Sequence, residues 1–509
     1  MPKHPFFERS MKKSRTNPHS MIQNDQITTS LENNINQILS KLDQMPDLKV
    51  QRFSWNQGEE AAILYLDELS DKKMIYEDVL TPILKNMTSL TQIEDSSLVS
   101  CDMNPTNSLV KMEHSLLMGK SVLLFNNLAT AYQVSTISYP DRSIEEPYLE
   151  PTIKGAHDGF VENASKNIAL LRRYIPSSEL KLRQMEIGER GKVRITLAYL
   201  GDVASPEVIE ELERRIQALS LDVIINIGEL QQLISENTFT VFPQYLVTER
   251  PDTTAMQILK GRIAIIMDRS PGVLIAPMNL VGFLQTKDDY NVNWLLASFV
   301  RLLRYVAFMI SLVVPAFYVA TISFHFEVIP LKLLLSIGES REKVPFPPVL
   351  EALLMELSLE MLREAGLRLP GPIGQTVSIV GGIVIGQAAV QAGIVSNIMV
   401  IVVSITAIAS FIIPYYDMSS TIRLLRFPMM MLAYFFGYVG IIIGLMILFS
   451  HLITLTSIGV PYGSPLSPIR IKEWKDAIVL TAPKYLTKRP HSARPMQEKK
   501  KKATDPTDR

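Results

Sequence analysis

Residues 376–413 contain no Asp, Glu, Lys or Arg. A bilayer core about 30 Å thick is crossed by about 20 apolar residues in a helix. The stretch is long enough for two crossings, with 393–397 as the turn between them. Water does not tolerate so much apolar surface on a monomer, so the stretch reads as a membrane hairpin. The rest of the chain has to be organised around it.

A chain of 509 residues exceeds one hydrophobic core, so two or three domains are expected. The net charge of zero argues against a general nucleic-acid binder, but the charges are segregated: they crowd residues 1–304 and the tail after Pro468. The single cysteine, Cys101, excludes a disulfide framework within the chain. The N-terminus carries Lys3, Arg9, Lys12, Lys13 and Arg15 with no apolar run behind them, unlike a signal peptide. The N-terminal part is therefore expected in the cytoplasm. The fold class that follows is an α/β soluble N-terminal region of two subdomains, then an all-α transmembrane helical domain.

Residues 1–56 read as a disordered basic extension, with a short helix near Leu31 to Leu42. Residues 57–140 and 141–290 read as two α/β subdomains, separated by a break near Pro140 to Pro151. Ser121 to Phe125, Tyr132 to Ile137, the alternating run Lys192 to Tyr199, Asp222 to Asn226 and Arg262 to Met267 are predicted strands. Gly159 to Tyr174 and Pro206 to Leu219 are predicted helices, the second opened by Ser205 as cap and Pro206 in the first turn. Gly119-Lys120-Ser121 resembles the end of a phosphate loop, but His114 stands where a glycine is required and the strand follows the motif. The cluster Glu145, Glu146 and Glu150 reads as a solvated turn, and His157-Asp158 lacks a nucleophile. No catalytic, metal or cofactor site is expected, and the chain is not read as an enzyme.

Residues 291–460 read as a membrane domain of four to five helices. The first spans 294–324, kinked at Pro315, with Arg301 and Arg304 at headgroup level. Val349 to Leu367 is helical and carries Glu356, Glu360 and Glu364 near one face. Such a helix lies at the interface or lines a water-filled passage as an acidic ring. In the hairpin, Gly382 and Gly386 have the spacing that lets helices approach closely. Gln387 and Gln391 share a stripe with Val380 and Val384, which faces either a conduit axis or a neighbouring helix, because an unpaired amide in hydrocarbon is costly. Pro414 to Phe427 reads as a loop holding Arg423 and Arg426, and Pro428 to Thr456 as a last span with Gly440 and Gly444 for packing. His451 reads as a bonded or interfacial histidine, and residues 461–509 as a basic cytoplasmic tail.

Several stretches together resemble one family. They are Pro345-Phe-Pro-Pro348 with the glutamate helix, Arg368-Leu-Pro-Gly-Pro-Ile-Gly374, Val377 to Gly382, and Gly386-Gln-Ala-Ala-Val-Gln-Ala-Gly-Ile-Val395. In the soluble part they are Glu146 to Glu150, Asp158 to Asn163, Asn167 to Arg173, Phe242-Pro-Gln244, Thr248-Glu-Arg-Pro-Asp252 and Asp288-Asp-Tyr290. They resemble the A subunits of the GerA-type spore germinant receptors over roughly residues 57–480. Lys154-Gly-Ala-His157 departs from the Arg-Gly-Pro form of that family. The resemblance implies a multi-pass protein of the inner membrane of a bacterial spore. It implies partners: a transporter-like B subunit that holds the germinant, a lipoprotein C subunit, and further copies of the chain in a homo-oligomer. It also implies a germinant-gated cation channel. A secondary transporter, a scaffold subunit and the related stage V sporulation protein AF are the alternatives.

Overall fold

The computed structural model describes residues 25–55, 58–67, 69–86, 103–137, 157–369, 381–382 and 384–500. Cys101, the cluster Glu145, Glu146 and Glu150, Val380 and most of 369–374 lie outside them. The chain divides into two compact units, Met1–Tyr139 and Pro140–Arg509.

The first unit opens with α1 (Leu31–Lys41), capped by the Ser30 hydroxyl, which accepts from the Asn33 amide. Strands β1 (Leu48–Trp55) and β2 (Glu59–Leu66) follow. The helical run α2 continues from Lys72–Met74 through a π-helical Ile75–Leu80 to Thr81–Asn86. Then come β3 (Met103–Thr106), α3 (Leu109–Leu117), β4 (Ser121–Phe125) and β5 (Ala131–Val134). The sheet is antiparallel with order β1-β2-β4-β5-β3. Alternation along its strands sends Ala62, Leu64, Val122 and Leu124 against α1 and α3. Ile63, Tyr65, Leu123 and Phe125 point the other way, against Ile75, Val79 and Ile83 of α2.

The second unit begins with the same plan. Helix α4 (Ala164–Tyr174), strands β6 (Leu180–Ile187) and β7 (Val193–Leu200), and helices α5 (Pro206–Gln217) and α6 (Ile227–Leu233) come first. Strand β8 (Leu246–Thr248), α7 (Pro251–Leu259), β9 (Ile263–Met267) and β10 (Val273–Ala276) complete it. Its antiparallel order, β6-β7-β9-β10-β8, repeats that of the first sheet position by position. Helices α4 and α7 cover one face and α5 and α6 the other. The repetition reaches single hydrogen bonds. Asn34, in the first turn of α1, accepts from the Thr28 amide (2.8 Å) and donates to its carbonyl (2.6 Å). Asn167, at the same position of α4, does both to Val161 at the same distances.

After the second sheet come α8 (Trp294–Phe324), α9 (Leu331–Arg341), α10 (Pro348–Arg368), the helical segment 384–391 (α11), α12 (Asn397–Ile412) and α13 (Tyr416–Thr454). Among the described residues α8 and α13 are long and apolar enough to cross a membrane, and α12 is a shorter apolar helix. Helix α13 is not one straight rod. Gly437 breaks it at φ +61°, ψ −139°, a backbone open to glycine and strained for other residues. At the near end Thr421 donates to the Val241 carbonyl (2.6 Å), and His451 Nε2 lies 2.8 Å from Thr240 Oγ1. Both ends of α13 therefore meet neighbouring residues, and 416–436 and 438–454 are two arms of a hairpin with Gly437 at its tip. At the tip His325 stacks on Tyr438, with ring centroids 4.4 Å apart.

Five expectations are corrected. Residues 25–55 are not an extension: Ile27, Leu31, Ile35, Ile38 and Leu42 are buried in the first core. Asp222 to Asn226 is no strand: Val223 makes only an isolated bridge to Gly191, and Asn226 caps α6. Pro414 to Phe427 is mostly helix, its apolar residues being buried at helical spacing (Met418, Ile422). The span expected from Pro428 to Thr456 is turned back at Gly437. Residues 461–500 are packed rather than tail-like, with Tyr462, Leu480 and Ala493 buried.

Candidate functional site

Pro315 has no N–H, so the Ser311 carbonyl four residues earlier has no donor within α8. Arg426, from the first arm of α13, supplies one: its Nε donates to that carbonyl (2.8 Å) and a terminal nitrogen to the Ser311 hydroxyl (2.9 Å). The remaining terminal nitrogen pairs with Glu356 of α10. Three helices are thereby tied at one buried guanidinium. Removing one member of a buried pair costs about 3–5 kcal/mol, because the partner is left charged and dry.

This pair belongs to a ladder along α10. Toward the start of the helix, Glu351 meets Arg341 of α9 (3.1 Å) and accepts from the Ser396 amide at the head of α12 (3.0 Å). Beyond Glu356, Glu360 meets Arg423 (3.2 Å) and Arg363 (2.9 Å). At the exposed end Glu364 holds Arg368 (2.7 Å). The spacing of four on α10 and of three between Arg423 and Arg426 lets antiparallel helices meet twice. Glu356, Glu360 and Glu364 thus each face an arginine in this state.

The other expected positions separate. Val384 is 56% exposed, and Gln387 and Gln391 are exposed beside it on α11. Gly386 is buried, with Val400 in van der Waals range of a Cβ placed there, whereas Gly382 has nothing within 4 Å. A Cβ at Gly440 would strike the Leu432 carbonyl, and one at Gly444 would lie 2.6 Å from Met429 Sδ, so both glycines close the hairpin within α13.

At the base of α8 a second charged cluster forms. Arg301 and Arg304, expected at headgroup level, are both buried on Asp289 at 2.9 Å, because the 287–290 turn and the 476–480 segment enclose them. Arg301 also donates to the Asp476 carbonyl, and Ser298 and Tyr305 to those of Leu480 (3.0 Å) and Ala477 (3.1 Å). Burial pushes the Asp289 carboxyl up, but the two guanidiniums outweigh it and hold the group below the usual range. Asp476 is likewise raised by burial and brought below its usual value by Lys260 and Arg301. Beside it Arg250 grips Asp252 with two hydrogen bonds (3.0 and 2.9 Å) at the start of α7, and Lys287 adds a third to the same carboxylate.

Sequence reading missed Arg341, Arg423 and Arg426 as partners. The signal was present in the Arg423-Leu-Leu-Arg426 spacing, but the partners lie 63 and 70 positions away (423 − 360; 426 − 356).

The family described as Bacillus/Clostridium GerA spore germination protein matches residues 35–492. The chain is 38% identical to the uncharacterized membrane protein YfkQ of Bacillus subtilis over 487 residues, covering 95% of each chain. It is 39% identical to spore germination protein KA of B. subtilis over 459 residues, covering 89% of this chain and 84% of that one. The crystallised N-terminal domain of the A subunit of the Bacillus megaterium spore germinant receptor GerK3 is 26% identical. It covers 50% of this chain and 96% of its own, at a TM-score of 0.38. With a family match over nearly the whole sequence and relatives aligned almost end to end, the chain belongs to the GerA family of spore germination proteins.

Proposed function

We propose that this chain is the A-type subunit of a nutrient germinant receptor in the inner membrane of a spore, and that several copies surround a cation conduit. The observation that carries the proposal is the exposure of Gln387 and Gln391 beside Val384 on an otherwise apolar, uncharged helix. Amides facing hydrocarbon are costly, so in a membrane this stripe requires protein or water. In a ring of copies Val384 would form an apolar constriction that gates by dewetting, with the amides wetting its edge. In this arrangement α8, α11, α12 and α13 lie within the bilayer, which makes the protein multi-pass. The germinant sits on a transporter-like B subunit, and a lipoprotein C subunit completes the complex. The glutamates of α10 are held by arginines in the closed state; opening exchanges these pairs and presents Glu360 and Glu364 to cations. Potassium efflux from liposomes carrying all three subunits tests this. Gln387→Leu with Gln391→Leu, and separately Glu360→Gln, should lower germinant-triggered efflux without loss of assembly. Unchanged efflux from assembled complexes would remove the conduit and leave a scaffold.

A further inference from the structure

The cluster at the base of α8 holds more buried positive than negative charge. Arg301 and Arg304 share Asp289. Asp476 is engaged by the Tyr290 hydroxyl (2.8 Å) and by Arg301 (3.3 Å), and Glu473 by Arg470 (3.5 Å). Arg262 (3% exposed) remains without an ion pair among the described residues, at the start of β9, and Lys260 (6%), at the end of α7, shares Asp476 with Arg301. Lys260 donates to the Tyr290 hydroxyl (3.2 Å). Arg262 donates to two neutral amide oxygens, Gln257 Oε1 (2.5 Å) and Asn279 Oδ1 (3.1 Å), and its Nε has no hydrogen-bond partner among the described residues. Both cations line a partly enclosed cavity of about 30 Å³, with Asn279 and Ser492 in the same wall and Glu473 and Asp476 also on it.

A buried guanidinium without a counter-charge is expensive. Burial holds Arg262 at about 10 and Lys260 at about 8, each below its ordinary value. Both side chains are donors only, so an acceptor satisfies them best. The narrow part of the cavity has the volume of one or two waters, enough for a monatomic anion. We propose that this cavity binds a single halide-sized inorganic anion between Arg262 and Lys260. The ion fastens the α7–β9 turn to the Asn279 cap and to the C-terminal segment at Ser492. The site lies outside the helix layer and does not depend on the conduit reading.

The test uses the full-length chain in detergent micelles, with thermal unfolding followed in sodium chloride, bromide and gluconate at one ionic strength. Chloride and bromide should raise the unfolding midpoint saturably, by about 2–4 °C, and gluconate, too bulky for the narrow part between the two side chains, should not. Arg262→Gln should weaken the apparent halide affinity about tenfold or more, as expected for a lost charged hydrogen bond. The exposed Arg52→Gln should leave it unchanged. Bromide anomalous scattering in crystals of the same protein should place a peak between the two side chains. Equal midpoints in chloride and gluconate for the wild-type chain would overturn the proposal and assign the cavity to water, a result that needs no variant to fold. A halide response surviving Arg262→Gln at full strength would overturn it as well.

Discussion

The two sheets share strand order, helix placement and the asparagine that ties the entry loop to its helix, yet they bury different things. Among the described residues the first buries apolar layers on both faces of its sheet and a single charged side chain, Asp47. The second buries the same kind of layers and adds Arg250, Asp252, Lys260, Arg262 and Asp289 at the end from which α8 departs. What repeats is what the architecture requires. What differs marks the place where the second copy holds the apolar helices and the C-terminal segment.

The largest effect expected is in the helix layer attached to the second copy. Arg426→Leu should destabilise the chain by about 3–5 kcal/mol in thermal unfolding, and pairing it with Glu356→Leu should restore most of the loss. No recovery in the double variant would show that Arg426 acts through Ser311 alone. Asn34→Ala and Asn167→Ala should each cost about 1–3 kcal/mol, because each strands two backbone groups. Hydrogen exchange read separately at 26–38 and 159–171 should show matched losses of protection. A loss confined to one site would break the equivalence of the two copies.

Acid should separate the copies next. The carboxyls of Asp252 and Asp289 are raised by burial but held lower by their cationic partners, and Glu211, bound by Arg214 and Arg215, sits at about 2. A carboxylate whose folded pKa lies below its unfolded value stabilises the fold at neutral pH and loses that contribution as pH falls through the folded value. In the first copy Asp25 is lowered too, by the Val110 amide and the Ser108 hydroxyl, but it is exposed. Between about pH 4 and pH 2 the second sheet should therefore lose exchange protection before the first. The smallest effect is expected at Arg52, paired with Glu32 on the open face of the first copy. Arg52→Ala should change stability by less than about 1 kcal/mol.

The parts legible in the sequence were those coded locally. Alternation marked β7, and Ser205-Pro206 marked the start of α5, although Ser205 caps it without a side-chain hydrogen bond. The duplication was not legible, because topology and one asparagine persist where little other sequence does: Leu31-Glu-Asn-Asn34 faces Ala164-Ser-Lys-Asn167. Nor was the hairpin in α13. Gly437, Gly440 and Gly444 carry the same packing signal, and only the backbone distinguishes the one that turns. Asp222 to Asn226 misled because β-branched residues describe a strand without saying whether a neighbour is free to pair.

Proline inside a helix is ordinarily counted as a defect. In α8 the defect is a socket: the carbonyl that Pro315 deprives of its usual donor is the seat of Arg426. Alanine at that position would restore an N–H that competes with the guanidinium for the Ser311 carbonyl. Local comfort and cohesion of the bundle oppose each other at a single peptide group, so a substitution scored as harmless by helix preference would loosen the assembly it sits in.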